Sequence, residues 1–127
     1  MKKTIALVAH DGKKADMVAF AKDHVEQLRN AIIVATGTTG AYILQTGLEV
    51  DLKLSGPMGG DAQIAAMTAE GKIDAIIFFR DPLGKHVHEP DIQMLMRISD
   101  LYNVPLATNP AAGSLIIEGL FNRNTDG

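Results

Sequence analysis

One carboxylate, Asp61, directly follows a stretch of small and flexible residues, 55–60 (SGPMGG). An apolar helical pattern begins immediately after it, over residues 62–67. Glycines allow backbone N–H groups to approach a ligand closely, and the start of a helix favours negative charge. A carboxylate beside a bound anion is poorly suited to holding that anion, but it is well suited to removing a proton from it. Asp61 is therefore a candidate general base.

A second segment, residues 36–40 (TGTTG), combines three threonine hydroxyls with two glycine amides at the start of a helix. Such donors suit phosphate oxygens, and the helix start favours negative charge. No lysine follows the glycines, so the segment is not a P-loop. Lys14 is a candidate cation for the same phosphate, although a lysine on a first helical turn is often only solvated. The alternative interpretation of the threonines is a strand-to-helix turn with a Thr N-cap.

Two further carboxylates fall where ligands are expected. Asp81 ends an apolar strand, and Asp91 closes a polar, histidine-rich loop over residues 86–91. Asp61 and Asp91 each precede a helix, so each could instead be an N-cap. Their surroundings, a glycine loop and a polar loop, favour a role in chemistry.

The four histidines divide into two groups. His10 stands at the end of a buried strand, where it is either a satisfied core residue or a ligand contact, and His88 lies in a loop with no packing reason to be there. His24 and His86 show no pattern and are expected to face solvent. No His or Asp pair has the short spacing of a metal chelate, so no metal site is expected.

Apolar runs of strand length alternate with amphipathic stretches along the chain. The predicted strands are residues 4–9, 31–35, 48–54, 73–79 and 104–108, and the predicted helices are residues 13–28, 41–46, 61–70, 91–102 and 111–118. This alternation predicts an α/β three-layer sandwich with a five-stranded, mostly parallel sheet and a Rossmann- or flavodoxin-like winding. Ligands bind beyond the carboxyl ends of the strands in such sheets, and the loops expected there are the polar or glycine-rich ones.

The composition is that of an ordinary globular protein. The 127 residues suit one domain spanning 1–127, with 46% hydrophobic and 21% charged residues. A net charge of −3 gives no electrostatic case for nucleic acid, and no apolar run is long enough to span a membrane. The N-terminal apolar run is too short for a signal peptide, and cysteine does not occur. A cytoplasmic location is expected.

Over most of residues 4–118 the chain resembles the methylglyoxal synthase family. The resemblance rests on six motifs in the family's order: ALVAHD (6–11), ATGTTG (35–40), LSGPMGGD (54–61), IFFRDPL (77–83), HEPD (88–91) and PLATN (105–109). It implies a lyase that converts dihydroxyacetone phosphate to methylglyoxal and inorganic phosphate without a cofactor. The alternative is a non-catalytic phosphate-metabolite sensor, similar to the regulatory domain of carbamoyl phosphate synthetase.

The resemblance also implies roles for individual residues. Asp61 is the catalytic base, His88 meets the carbonyl and hydroxyl end of the substrate, and Asp81 and Asp91 are further carboxylates of the site. The implied substrate and phosphate contacts are His10, Lys14, Thr36, Gly37, Thr38, Thr39, Ser55, Gly56 and His88. A homohexamer with inorganic phosphate as an allosteric inhibitor is implied as well.

Overall fold

Strands and helices alternate in the computed structural model, which describes residues 2–84 and 92–122. The strands are β1 (Thr4–Ala9), β2 (Ile32–Thr36), β3 (Asp51–Lys53), β4 (Ala75–Phe79) and β5 (Leu106–Ala107). The helices are α1 (Lys14–Asp23), α2 (Val25–Leu28), α3 (Gly37–Leu44), α4 (Gly60–Ala69), α5 (Ile92–Tyr102) and α6 (Pro110–Asn122). The predicted alternation is confirmed, and the bounds of β1 agree with the prediction.

The five strands form one sheet in the order β3-β2-β1-β4-β5, and each pairing is parallel. Strand β1 lies at the centre, where Leu7 pairs with Ala35 of β2 and with Ile77 of β4. This is the strand order of Rossmann-type winding, and the order reverses between β1 and β4. The loops that follow these two strands therefore leave the sheet in opposite directions and open a crevice between them.

Both faces of the sheet are buried, which confirms the three-layer sandwich. Side chains of β1 alternate between the faces. Ile5, Leu7 and Ala9 belong to a core packed by α1, α2, α3 and α6, whereas Ala6 and Val8 belong to a second core packed by α4 and α5. Because β4 is covered on both sides, its five residues are all buried and apolar, as is typical of a central parallel strand.

The two outer strands are shorter than the sequence predicts. β3 has three residues instead of the expected 48–54, and β5 has two instead of 104–108. An outer strand is hydrogen-bonded to one neighbour only. The number of its residues that pair therefore depends on that neighbour, and the apolar pattern of the sequence does not predict this number. The charged ends of β3 pair with each other, with the Lys53 Nζ 3.3 Å from an Asp51 carboxylate oxygen.

The predicted helix over residues 13–28 is interrupted at His24. The backbone there leaves the helical region (φ −116°, ψ 24°), so that α1 and α2 are separate helices. The His24 ring lies 4.6 Å from the Phe20 ring, and its Nε2 is 2.9 Å from the Ser114 Oγ of α6. The expectation that His24 faces solvent was wrong, because its ring joins α1 to α6.

Helix α3 begins at Gly37, four residues before the predicted start at residue 41. The threonine- and glycine-rich segment is thus the first turn of this helix rather than a loop in front of it. Helical periodicity of apolar residues could not reveal this start, since the turn contains glycine and threonine only.

Candidate active site

The polar and glycine-rich segments meet at one edge of the sheet, where the carboxyl ends of the parallel strands lie. We call this the ligand edge. His10 follows β1, and Asp81 follows the Phe79 end of β4 after one intervening residue. Thr36 ends β2 and precedes α3, while the segment from Ser55 to Asp61 connects β3 to the first turn of α4. The predicted location of the site is therefore consistent with the topology of the sheet.

The first turn of α3 holds buried hydroxyls. Thr36 is the N-cap residue with 4% of its surface exposed, and Thr39 is 2% exposed, whereas Thr38 is exposed. Thr36 thus occupies the N-cap position that the alternative interpretation expects, but its side chain makes no capping hydrogen bond, so capping does not account for its buried hydroxyl. The other buried hydroxyls are satisfied in contrast: Thr68 donates to the Ile64 carbonyl, and Ser99 donates to the Val104 carbonyl.

Buried polar side chains nearly always have a hydrogen-bond partner. Among the residues that the structure describes, nothing accepts from or donates to the Thr36 and Thr39 hydroxyls. Both lie at a helix start, where backbone N–H groups and the helix dipole favour an anion. An anion with several oxygens would supply the missing acceptors.

Close glycine contacts bring the loops after β2 and β3 together. A Cβ built on Gly37 would lie 2.8 Å from the Ser55 Cα, and one built on Gly60 would lie 3.0 Å from the Thr36 Cγ2. The same Cβ on Gly60 would overlap the carbonyl oxygen of Leu54. The N-terminal ends of α3 and α4 can therefore approach each other only because these two positions lack a side chain.

Asp61 occupies the first turn of α4 and is 9% exposed. Gly59 is the N-cap of this helix, so the interpretation of Asp61 as the N-cap was wrong. Its Oδ1 accepts a hydrogen bond from the N–H of Ala62 at 3.0 Å. The Gln63 side chain on the same helix accepts from the Leu54 N–H at 2.8 Å and so ties α4 to the preceding loop. The carboxylate is thus held at a helix end that favours its negative charge.

His10 is packed and oriented at the end of β1. It is 9% exposed, its ring meets Phe78 edge-on at 5.0 Å, and its Nδ1 accepts from the Asp81 main-chain N–H at 2.8 Å. Because a backbone N–H can only donate, the Nδ1 is unprotonated and the neutral ring carries its proton on Nε2. The contact with Phe78 places the ring on the sheet face that α4 covers, the face of Asp61. His10 therefore combines a packing contact with an orientation suited to donating a hydrogen bond.

Lys14 begins α1 beside the ligand edge. Its Nζ lies 2.7 Å from the Asp11 Oδ1, and 22% of its side chain is exposed. The pair borders a cleft of about 450 Å³ that Ala15, Val18 and Tyr42 also line. Lys14 is therefore held by a neighbouring carboxylate and is more than a solvated surface lysine. The sequence prediction did not include Asp11, although an i,i+3 spacing on a helical turn is a signal for such a pair.

Asp81 is half-buried, and its Oδ1 accepts from the Leu83 N–H at 3.0 Å. Its other carboxylate oxygen faces Gly12, where a Cβ would lie 2.6 Å away. Gly12 was not among the predicted site residues. A glycine directly after a strand end is common in turns, so the sequence gives no particular signal for this contact.

His88 and Asp91 lie outside the described residues, as does His86. Helix α5, which begins at Ile92, packs on the same sheet face as α4. In the described part of the chain, no three His, Cys, Asp or Glu side chains are arranged to hold a metal ion. No helix among the described residues has the length and apolar character needed to cross a membrane.

The sequence of this chain is similar to those of known proteins. Residues 16–108 match the family model described as "MGS-like domain". Methylglyoxal synthase from Acholeplasma laidlawii is 55% identical over 117 residues, which cover 91% of this chain and 96% of the relative. Methylglyoxal synthase from Geobacillus thermodenitrificans is 56% identical over 117 residues, covering 91% and 81%.

A solved structure gives the same result. The crystal structure of methylglyoxal synthase from Elizabethkingia anophelis superposes with a TM-score of 0.88 at 42% identity, and the match covers 91% of this chain and 77% of that one. The close match in fold extends to a five-stranded parallel sheet with helices on both faces. The chain belongs to the methylglyoxal synthase family and is an enzyme, a lyase, of that family.

Proposed function

We propose that this enzyme converts dihydroxyacetone phosphate to methylglyoxal and inorganic phosphate without a cofactor. One observation carries the proposal. The buried hydroxyls of Thr36 and Thr39 have no hydrogen-bond partner among the described residues, and they adjoin the helix end that holds the buried carboxylate of Asp61. A phosphate ester that satisfied the hydroxyls would bring its carbon skeleton toward a base. The names of the relatives support the same reaction.

The phosphate group is assigned to the start of α3 and its surroundings. The proposed ligands are Lys14, Thr36, Gly37, Thr38, Thr39, Ser55 and Gly56. Hydroxyl and amide donors satisfy the phosphate oxygens, while the ammonium group of Lys14 compensates their charge. In this assignment the phosphate competes with Asp11 for Lys14, since their present separation is 2.7 Å.

Asp61 is assigned the first chemical step. It removes a proton from the hydroxymethyl carbon beside the substrate carbonyl, and the C–H electron pair forms a carbon–carbon double bond while the carbonyl oxygen becomes an enediolate oxygen. That oxygen needs hydrogen-bond donors. The Nε2–H of His10 suits this task, and His88 is proposed for it as well. A neutral imidazole is sufficient as the donor.

Phosphate leaves in the second step. The hydroxyl on the deprotonated carbon loses its proton as a C=O bond forms there, the enediolate double bond shifts to the neighbouring carbon, and the ester oxygen leaves on phosphate with the electron pair of the broken C–O bond. Of the two protons released, one is taken up by the new terminal CH2 group, which gives methylglyoxal, and the other ends on the phosphate. This elimination requires the breaking carbon–oxygen bond to lie roughly perpendicular to the enediolate plane, because only then does it overlap the π system. Thr38, Thr39 and Ser55 would thus fix a torsion angle in addition to supplying affinity. Asp81 and Asp91 are proposed as additional carboxylates of the site.

A product assay tests the proposal. The protein is incubated with dihydroxyacetone phosphate, and free phosphate and the dicarbonyl product are measured in parallel. Equal amounts of the two products are expected, and the Asp61→Asn variant should form neither at a comparable rate. Asp100→Asn is a matched control, because Asp100 is an exposed residue on α5. Tight phosphate binding without product formation would refute the enzymatic proposal and favour the sensor.

The oligomeric state and regulation are also proposals. We infer a homohexamer that inorganic phosphate inhibits allosterically, and a cytoplasmic location. Exposed large apolar side chains support association with other copies, since Leu83, Leu101 and Leu115 are each more than two-thirds exposed. Gel filtration with light scattering measures the assembly, and a sigmoidal rate curve in added phosphate would support the regulation.

A further inference from the structure

Two hydrogen bonds connect His10, which follows β1, to the backbone at and after the end of β4. The His10 main-chain N–H donates to the Phe79 carbonyl at 3.1 Å, and the Asp81 main-chain N–H donates to the ring Nδ1 at 2.8 Å. The backbone at and after the end of β4 therefore holds both the main chain and the ring of one residue. A neutral histidine can carry its proton on either ring nitrogen, and only the Nε2–H form can accept this second hydrogen bond at Nδ1.

The Asp81 carboxylate holds the turn that presents this N–H. Its Oδ1 accepts from the Leu83 N–H at 3.0 Å, and the Gly84 N–H donates to the Asp81 carbonyl at 3.3 Å. The carboxylate thus fixes the backbone immediately after the amide that His10 uses. A change in the side chain at position 81 can therefore reach the His10 ring without touching it.

The position of the Asp81 carboxylate depends on the absence of a side chain at Gly12. A Cβ at this position would lie 2.6 Å from the Asp81 Oδ2, closer than real Cβ contacts occur. The other oxygen of the same carboxylate accepts the Leu83 hydrogen bond, so a displacement of the carboxylate bears on that bond as well. A side chain at position 12 would therefore displace the Asp81 carboxylate, which takes part in the turn after β4.

We propose that Asp81 is a positioning residue, whose main-chain N–H fixes the proton of His10 on Nε2, with Gly12 providing the space that its carboxylate needs. The catalytic consequence rests on the proposed function, in which the Nε2–H donates to the enediolate oxygen. In this account the carboxylate of Asp81 acts through the backbone and does not exchange protons with the substrate.

Ring nitrogen NMR tests the geometry without any substrate. Two-bond proton–nitrogen correlations distinguish the two tautomers, and the His10→Asn variant identifies which signals belong to His10. The unmodified protein should show an Nε2–H tautomer, and Gly12→Ala and Asp81→Ala should both shift the His10 ring-nitrogen signals away from those of the unmodified protein. Asp81→Asn should retain the Nε2–H tautomer, because an amide oxygen can still accept from the Leu83 N–H. Gly119→Ala is the matched control, since a Cβ built there meets no atom of the described residues within 4 Å apart from its chain neighbours and its own helix backbone.

The catalytic rates of the variants should parallel the changes in their His10 spectra. Gly12→Ala and Asp81→Ala should lower kcat by about tenfold to a hundredfold, the usual consequence of a small misplacement, and Asp81→Asn should recover most of that loss. An Nδ1–H tautomer in the unmodified protein would overturn the proposal. So would an unchanged His10 spectrum in both alanine variants, or an Asp81→Asn rate as low as that of Asp81→Ala. If the unmodified protein forms no dicarbonyl, the proposed function fails, and the spectra alone decide the positioning proposal.

Discussion

Substitution of Gly60 by alanine tests whether the close approach of two helix ends builds the site. The added Cβ would overlap the Leu54 carbonyl oxygen and would lie 3.0 Å from the Thr36 Cγ2. Ordinary carbon contacts are about 3.5–4.0 Å, so the start of α4 must move away from the threonines by a distance on the order of 1 Å. The obstacle is backbone, which cannot rotate aside as a flexible side chain can.

Both stability and catalysis should respond to this movement. Overpacking of this kind costs about 1–3 kcal/mol in the free energy of unfolding. With an m-value of about 2 kcal/mol/M, the urea midpoint should fall by roughly 0.5–1.5 M at a fixed protein concentration. A shift of about 1 Å between base and substrate should also lower kcat by about a hundredfold.

Urea titration followed by circular dichroism and the dicarbonyl assay measure the two effects on the same samples. Gly119→Ala is the control, because it makes the same chemical change in an exposed helical position where the added Cβ meets none of the other described side chains within 4 Å. That control should be neutral or about 0.5–1 kcal/mol more stable. If Gly60→Ala matches the control in both measurements, the contact between α4 and the threonine turn does not position the site.

Three further substitutions are informative. Asp61→Asn should lower kcat by about 10²–10⁴-fold while the phosphate Kd from calorimetry changes only a few-fold; a lost phosphate affinity would mean that Asp61 mainly shapes its loop. Lys14→Ala should remove a charge-assisted contact of about 1.5–3 kcal/mol and so weaken phosphate binding about 10- to 150-fold, whereas an unchanged Kd would assign Lys14 to Asp11 alone. Thr39→Val keeps the shape of a buried side chain and removes its unpartnered hydroxyl, so the KM for dihydroxyacetone phosphate should rise without loss of stability; a marked fall in the urea midpoint would indicate a structural role for that hydroxyl instead.

The sequence predicted the layers of the fold because the apolar runs are clear. β1 and β4 are buried on both faces, and such strands read as continuous apolar segments. The start of α3 was missed because glycine and threonine carry no apolar period, and the break at His24 was missed because the apolar pattern continues through it.

The sequence indicated where several candidate site residues lie in the fold, but not which contacts they make. Asp61, the threonines and His10 occupy the ligand edge as their positions after the strands indicated. The hydrogen bond from Asp81 to His10 joins residues 71 positions apart, and the fit of Asp81 against Gly12 depends on distances within a fraction of an ångström. Local patterns in a single sequence predict neither this hydrogen bond nor this close fit.

The brevity of the two outer strands restricts how copies of this chain can associate. β3 offers three residues with an ion pair between its charged ends, and β5 offers two residues. Edge strands this short leave few backbone N–H and C=O groups with which a strand of another molecule could pair. The charged side chains on β3 disfavour such pairing further. Within residues 2–84 and 92–122, the surfaces that remain for assembly are therefore side chains on helices and loops, so the tightness of an assembly should respond to point substitutions there.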